Sequence, residues 1–265
     1  MKAIKFSTLI FLLSFSVPAI SDNLSIFLQP APSSGQADID HTQWSRLLSE
    51  YIDQRGGLNY FRYRDVSEED METLEDYIEN LQSVQVTRLD ADEQFAYWIN
   101  LYNALTVWVI LEHYPIESIR DISYGLLTSG PWKEELTTVQ GVELSLDDIE
   151  HRILRPVFQD SRIHYAVNCA SIGCPNLQTT AFTSDNLEDL LEFSAEQYIN
   201  HPRGARIVDG ELIVSSIYDW YEEDFGGNEQ SVIEHLLEYA STALGDELDD
   251  FDDIDDYEYD WALNE

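Results

Sequence analysis

The spacing of apolar residues in the first half of the chain predicts three helices. Apolar side chains over residues 44–51 recur at i, i+3, i+4 and i+7, as on one face of a helix. Residues 67–81 show a similar face behind Ser67, which is placed to cap a helix start. Residues 92–114 are apolar on nearly all sides and end at Pro115. A helix of that kind lies in the middle of a core.

The second half of the chain mixes predicted strands with helices. Hairpins are predicted about Gln140-Gly141 and Asp209-Gly210, and a strand over Arg162–Asn168. Helices are predicted over residues 145–155, 186–200, 216–225 and 231–240. Helices followed by strands among helices predict the α+β class, with a helical N-terminal part and a core helix packed on a small antiparallel or mixed sheet.

The N-terminus reads as a secretory signal. Two lysines precede a short apolar run at residues 9–17, and small residues follow it. This run is well short of the roughly 20 residues that a membrane-spanning helix needs. We therefore expect a signal peptide over residues 1–21, a Pro/Ser-rich linker over 22–37 and a single domain over 38–244. The protein is expected to be periplasmic or secreted, without stable membrane insertion.

Composition narrows the range of partners. The chain of 265 residues has 14 Lys+Arg against 51 Asp+Glu, a formal charge of −37, and 44% hydrophobic residues. The apolar content is enough for a core, and the negative field argues against nucleic-acid binding. Eleven acids and no base occur in residues 245–265. Blocks of like charge usually stay solvated, which predicts a disordered acidic tail.

Both cysteines of the chain lie in one predicted loop, in the run His164-Tyr-Ala-Val-Asn-Cys169-Ala-Ser-Ile-Gly-Cys174-Pro. In one interpretation Cys169 is a nucleophile and His164 its base, because a thiol of ordinary pKa needs help to ionise at neutral pH. On a continuous strand these two residues would face opposite sides, so they meet only if the chain turns near Asn168.

Two other interpretations of this loop remain open. In an oxidising compartment Cys169 and Cys174 are expected to form a disulfide that closes the loop. Zinc binding by His164 and the two cysteines matches no ordinary ligand spacing, and a fourth ligand is unidentified. No metal or other cofactor is expected.

The predicted core helix carries polar residues that do not suit an apolar setting. Asn100 and Asn103 share a face, and Glu93 lies in the first turn. The amides either hold neighbouring loop backbone or, with Glu93, supply the group that orients His164, as the third member of a catalytic triad does. His151 is interpreted as a packed histidine bonded to a carbonyl, and it is the next candidate for the base.

Four motifs together resemble the DUF547 family of bacterial and plant proteins. They are Trp98-Ile-Asn-Leu-Tyr-Asn-Ala-Leu-Thr, Leu144-Ser-Leu-Asp-Asp-Ile-Glu-His-Arg-Ile-Leu-Arg, Arg162-Ile-His-Tyr-Ala-Val-Asn-Cys-Ala-Ser-Ile-Gly-Cys-Pro and Ile217-Tyr-Asp-Trp-Tyr-Glu-Glu-Asp-Phe. The resemblance covers roughly residues 50–226. It implies a single-domain α+β fold related to the papain and transglutaminase-like cysteine hydrolases. In that relation Glu93 stands where such enzymes carry their cysteine, and Cys169 supplies the thiol from elsewhere in the chain.

These observations lead to two functional hypotheses. In the first, the protein is an exported cysteine-dependent hydrolase or transferase acting on a peptide or amide. Cys169 attacks, His164 takes the proton, and backbone N–H groups from Ser171 to Gly173 receive the oxyanion. In the second, it is a non-catalytic binding domain with a loop closed by a Cys169–Cys174 disulfide. The expected partner is a peptide or a small thiol- or amide-containing ligand, and the expected state is a monomer.

Overall fold

Helices supply most of the fold, and three small sheets complete it. The computed structural model describes residues 23–28, 39–125 and 129–265. The helices are α1 (Thr42–Tyr51), α2 (Glu68–Gln82), α3 (Ala91–His113), a π-helix (Asp148–Leu154) that continues as α4 (Arg155–Phe158), α5 (Ile163–Ala166), α6 (Leu187–Ile199), α7 (Ile217–Trp220), α8 (Glu229–Tyr239) and α9 (Thr242–Leu248). The strands are β1 (Ile52–Arg55), β2 (Leu58–Phe61), β3 (Thr137–Val139), β4 (Val142–Leu144), β5 (Ala205–Val208), β6 (Glu211–Ser215) and β7 (Asp256–Glu258).

The sheets are antiparallel hairpins with one parallel addition. β1 pairs with β2, β3 with β4 and β5 with β6, all antiparallel, while β7 joins β6 in parallel. These elements confirm the α+β prediction with small antiparallel and mixed sheets. The three-stranded sheet shares an apolar cluster with α6 and α8, and α3 packs chiefly against α2 and the π-helix.

Helix α3 is the centre of the larger apolar cluster. Asp90 caps it by accepting a hydrogen bond from the Glu93 N–H at 2.9 Å, and nearly every side chain from Glu93 to Val107 is buried. The predicted helix at 67–81 is also confirmed, with the Ser67 side chain accepting from the Asp70 N–H. Local capping and apolar spacing were therefore sufficient signals for these two helices.

The predicted strand over Arg162–Asn168 is wrong. The structure has the short helix α5 there, with all four of its side chains buried. A short apolar run that is buried on every side shows no periodicity that separates strand from helix. The chain becomes extended only at Val167, just before the cysteine loop.

The prediction of a disordered tail over 245–265 is also wrong. Leu248, Ile254 and Leu263 are buried, and β7 adds to the edge of β6. From residue 257 to 263 the apolar side chains alternate with exposed residues, which is the period of a strand. The acids therefore point to solvent while the other face packs, so the charge did not keep this segment away from the domain.

The N-terminal predictions fall mostly outside the described ranges. The signal peptide over residues 1–21 lies outside them, as do residue 22 and residues 29–38. Within the predicted linker, Asn23–Phe27 forms a 3₁₀ helix, and the buried Phe27 ring meets Trp98 edge-on at 5.1 Å between centroids. These five residues are thus part of the packed core rather than a linker. In the part of the chain that the structure covers, no helix has the length and apolarity needed to cross a bilayer.

Candidate functional site

A cavity of about 480 Å³ opens where the cysteine loop, the π-helix and the C-terminal segment meet. Its walls combine two thiols, two histidines, two carboxylates and many aromatic rings. The lining residues are Tyr102, Ser129, Gly130, Trp132, Lys133, Asp147, Glu150, His151, His164, Val167, Cys169, Cys174, Pro175, Ile217, Trp220, Tyr221, Tyr259 and Trp261. Reactive and apolar groups converging in one concave site are typical of a ligand or active site.

The loop that carries Cys169 is held by the core helix. The Asn103 amide donates to the carbonyl of Ala166 at 2.9 Å and accepts from the N–H of Asn168 at 2.8 Å. Directly after Cys169, Ala170 adopts the left-handed conformation with φ of 57°. Such a conformation is costly for a residue with a Cβ and persists only where surrounding contacts enforce it. The interpretation of Asn103 as a holder of loop backbone is confirmed.

The sulfur of Cys169 is surrounded by hydrogen-bonding groups. The Ser171 hydroxyl lies 3.1 Å, the Tyr259 hydroxyl 3.0 Å and the Cys174 Sγ 2.7 Å from it. Burial by itself would raise the pKa of Cys169. The hydrogen bonds from Cys174, Ser171 and Tyr259 outweigh burial, so the pKa of Cys169 is lowered and the thiolate is favoured.

Cys174 has the opposite electrostatic character. It is buried, and its pKa is raised well above the usual value by burial and by its hydrogen bond to Cys169. Both cysteines are free in this structure. The backbone N–H of Cys169 also donates to the Cys174 sulfur at 2.8 Å. Of the two thiols, Cys169 is therefore the one suited to act as a nucleophile.

His164 is paired with a carboxylate that the sequence reasoning did not select. Its Nε2 lies 2.7 Å from Oδ2 of Asp224, and its ring stacks on Tyr221 with centroids 4.1 Å apart. The Arg155 guanidinium donates to the same Asp224 oxygen at 2.5 Å. Burial would raise the pKa of Asp224, but the bonds from His164 and Arg155 hold it well below its usual range. Asp224 is thus an ionised group that fixes the imidazole ring.

His164 and Cys169 line the same cavity without touching. Within the described part of the chain, no hydrogen bond joins the imidazole to the sulfur. The expected obstacle of opposite strand faces does not arise, because α5 and the turn at Asn168 replace the strand. Since Asp224 occupies Nε2, Nδ1 is the imidazole nitrogen available for exchanging a proton with a bound molecule.

The π-helix turns three polar side chains toward the cavity. Pro156 has no N–H to donate to the carbonyl of Arg152 and crowds it, which favours the wider helical turn here. Asp147, Glu150 and His151 all face the cavity as a result. His151 lies 3.8 Å from Asp147 and 3.9 Å from Glu150, where a carbonyl partner was expected.

Burial also acts on the acids of this wall. It raises the pKa of Asp147 despite the neighbouring His151, and it raises the pKa of Tyr221, helped by the charge of Glu150 and by a hydrogen bond to Glu150. Glu150 itself is only 6% exposed. A buried carboxylate on a cavity wall is a chemically available group near the thiol.

Glu93 is not part of the site. Its carboxylate accepts a hydrogen bond from the Ile39 N–H at 2.9 Å. Ten helical residues separate it from Asn103, about 15 Å along the axis, so it does not reach the loop of His164. The prediction that Glu93 orients His164 is wrong, because a helix this long spreads its polar residues over distinct surroundings.

Asn100 performs the same kind of task as Asn103 at a different loop. Its amide donates to the carbonyl of Phe182 at 2.7 Å and accepts from the Phe182 N–H at 3.1 Å. It also lies 3.4 Å from Nδ1 of His41. Asn100 therefore supports a backbone segment outside the thiol cavity.

The expected oxyanion site is occupied by backbone. The N–H of Ile172 donates to Ala262 and that of Gly173 donates to Asp260, both at 2.8 Å. These amides join the cysteine loop to the C-terminal segment, so they do not face a ligand. Ser171 is buried and contributes its hydroxyl to the sulfur instead.

Three site residues were missed by reasoning from the sequence. Asp224 lies in the aromatic motif near residue 220, which was interpreted as core. Glu150 precedes His151 in a motif that was noted only for the histidine. Tyr259 lies in the segment expected to be disordered, although the alternation from 257 to 263 is a strand signal.

The ligand spacing expected for zinc does not form. In residues 23–28, 39–125 and 129–265, no three His, Cys, Asp or Glu side chains converge as metal ligands do. His164 points its Nε2 at Asp224 rather than at the two sulfurs. The two cysteines alone do not make a metal site.

Comparison with known proteins gives a family and no closer relative. No curated protein and no solved structure matches the chain. The relation to papain-like hydrolases therefore stays a prediction. Residues 86–199, which carry α3, the π-helix and the cysteine loop, match the family described as "Protein of unknown function, DUF547". This segment of the chain belongs to the DUF547 family, as its motifs predicted.

Proposed function

We propose that the protein is an exported thiol hydrolase or acyl transferase that acts on an amide or peptide bond through Cys169. The observation that carries the proposal is the setting of the Cys169 sulfur. It lies on a cavity wall and receives three hydrogen bonds that favour its thiolate. A thiolate held this way is a ready nucleophile at neutral pH.

In the proposed reaction, the Cys169 sulfur attacks the carbonyl carbon of a bound amide. The C–N bond then breaks, and a thioester forms on Cys169. The departing amine takes a proton from Nδ1 of His164, while Asp224 on Nε2 stabilises the imidazolium before that transfer. Water or an amine then attacks the thioester and restores the thiolate.

The hydroxyls at the sulfur have a second use in this scheme. Ser171 and Tyr259 support the negative charge while it resides on Cys169. Once the sulfur is bonded to carbon, these donors are released beside the carbonyl oxygen on which charge develops. They take the part that was first expected of the backbone amides from Ser171 to Gly173.

The test is acyl transfer to Cys169. The reduced protein is incubated with N-acetyl amino-acid thiobenzyl esters and the matching 4-nitroanilides, then quenched in acid and analysed by mass spectrometry. We expect an acyl group on Cys169 in the wild type and none in Cys169→Ser. Equal acylation of the two proteins, or none with any donor, contradicts the proposal.

Export is a separate part of the proposal. It is supported by the two lysines, the apolar run at residues 9–17 and the small residues after it. The mature protein should begin at Asp22 and fractionate with the periplasm. N-terminal sequencing that finds Met1 retained contradicts export without affecting the chemistry at Cys169.

A further inference from the structure

The two thiols form an unequal pair. Cys169 is half-buried on the cavity wall, whereas Cys174 is 4% exposed behind it. Their sulfurs are in direct contact at 2.7 Å, with the Cys174 thiol donating to Cys169. Because the sulfurs already meet, a bond between them needs no backbone movement. One thiol is reachable from the cavity, and its neighbour is positioned to act only on it.

We propose that Cys169 and Cys174 are a reversible dithiol–disulfide pair, in which Cys169 attacks small disulfides that enter the cavity and Cys174 resolves the product. The proposal rests on the proposed function in that Cys169 is the reactive thiol of both. It adds a second activity, thiol–disulfide exchange, and a control of the first. While the pair is oxidised, Cys169 has no thiolate with which to attack an acyl group.

The exchange takes place in two balanced steps, with a low-molecular-weight disulfide RS–SR as the oxidant. In the first, the Cys169 thiolate attacks one sulfur, the S–S bond of RS–SR breaks, and RS⁻ leaves to take a proton from water. In the second, Cys174 attacks Cys169 Sγ, its proton goes to the departing thiolate, and RSH leaves. Two cysteines are oxidised to one disulfide, and RS–SR is reduced to two RSH.

The surroundings of Cys174 favour the second step after the first has occurred. Burial raises its pKa, and so do the hydrogen bond to Cys169 and the charge of Cys169. A mixed disulfide on Cys169 removes that charge and that acceptor. The Cys169 N–H, which donates to the Cys174 sulfur at 2.8 Å, then supports the thiolate that Cys174 must form.

The cavity indicates which disulfides enter. The protein carries a formal charge of −37, so an anionic disulfide is repelled. A small neutral disulfide fits a space of about 480 Å³ walled by aromatic rings. Bis(2-hydroxyethyl) disulfide meets both conditions and is the probe for the test.

The experiment follows the reduced full-length protein by intact-mass spectrometry after addition of this disulfide. The chain has only two cysteines, so single variants isolate each role. We expect wild type to form the internal disulfide with little adduct, and Cys174→Ser to hold a stable mercaptoethanol adduct on Cys169. Cys169→Ser should react at least about tenfold more slowly, because its remaining thiol is buried and protonated. Dithiothreitol should return the wild type to two free thiols.

Three results overturn the proposal. They are a lasting adduct on wild-type Cys169, faster reaction of Cys174 than of Cys169, and a pair that dithiothreitol does not reduce. Circular dichroism of each variant shows whether it is folded, and Cys174→Ala repeats the trapping measurement with a different side chain. Iodoacetamide labelling of reduced Cys169 reports the thiolate separately. If Cys169 labels fast and acylates but no disulfide forms, only the redox proposal fails; if disulfide forms but no acyl transfer occurs, only the proposed function fails.

Discussion

Two buried histidines, His41 and His164, lie in different polar clusters around α3. Both are 4% exposed and both pack against a tyrosine ring. His41 bonds to the Tyr77 hydroxyl at 2.6 Å and lies near Asn100, and its Nε2 has no partner in the described part of the chain. His164 has the carboxylate of Asp224 at 2.7 Å and a place on the cavity wall. Equal burial therefore gives two different kinds of histidine.

The difference between the clusters is the presence of a charge partner. Burial lowers the pKa of His41 to about 4, so its ring stays neutral and serves as a hydrogen-bonding spacer. Asp224 gives His164 a group that stabilises its protonated form while Nδ1 remains available. A buried histidine becomes chemically useful when a carboxylate and an open cavity are added to it, and burial alone supplies neither.

The largest expected effect separates the two histidines in catalysis. His164→Ala should slow release of 4-nitroaniline from an anilide donor by about 10²–10⁴-fold, because the poor leaving group needs an acid. Release of a thiol from the matching thioester should change much less, since thiolate leaves without a proton. His41→Ala is the matched control and should leave the ratio of the two rates unchanged in the folded fraction. Equal losses on both donors in His164→Ala would show a structural role only.

The next effect concerns the dependence of each cluster on the C-terminal segment. A chain ending at Asp255 lacks the buried Leu263 and the hydrogen bonds that join residues 172 and 173 to the segment. We expect a loss of roughly 2–4 kcal/mol in the free energy of unfolding, or several degrees in the thermal midpoint. Removal of the exposed Glu265 alone is the control. Hydrogen exchange should rise at the cysteine loop and stay unchanged near His41; uniform protection would contradict docking of the segment.

A smaller effect is the pH dependence of stability due to His41. The unfolded imidazole takes a proton near pH 6.5, whereas the folded one does so only near pH 4. The unfolding free energy therefore falls as the pH drops through this window, by up to about 1.4 kcal/mol per pKa unit. His41→Gln should flatten the slope measured by urea unfolding between these values. His113→Gln, at an exposed position, is the control, and an unaltered slope in His41→Gln would contradict the assignment.

The smallest effect tests the hydroxyl at the sulfur. Tyr259→Phe removes one of the hydrogen bonds that favour the Cys169 thiolate and should raise the pKa of Cys169 by about one unit. The measurement is the pH profile of iodoacetamide labelling of the reduced protein. Tyr257→Phe, whose hydroxyl bonds to Glu229 instead, should leave the profile unchanged. A profile identical in Tyr259→Phe and wild type would show that Ser171 and Cys174 suffice.

Much of the site loop was predictable, but its catalytic partners were not. Cys169, Cys174, His164 and His151 all line the cavity and were selected from the sequence. They lie close together along the chain, so a single loop and its flanks brought them to attention. Asp224 is 60 residues from His164 and Tyr259 is 90 residues from Cys169. No local pattern links such pairs, because their contact depends on how the helices and the sheet pack.

The sequence by itself determined the elements whose signals are local. The caps at Ser67 and Asp90, the all-round apolar character of α3 and the hairpin turns at Gly141 and Gly210 specify their structures without distant contacts. The family motifs added the order of these elements and pointed to the cysteine loop.

Tertiary structure decided what long-range packing controls. It made residues 163–166 a helix instead of a strand, because burial on every side erased the periodicity that distinguishes the two. It drew an acidic C-terminus onto the domain, because burying the alternate apolar side chains outweighs the solvation of a face that stays exposed. It also gave His164 a carboxylate and withheld one from His41. Charge pairing between residues far apart in the chain is settled only when the elements that carry them come together.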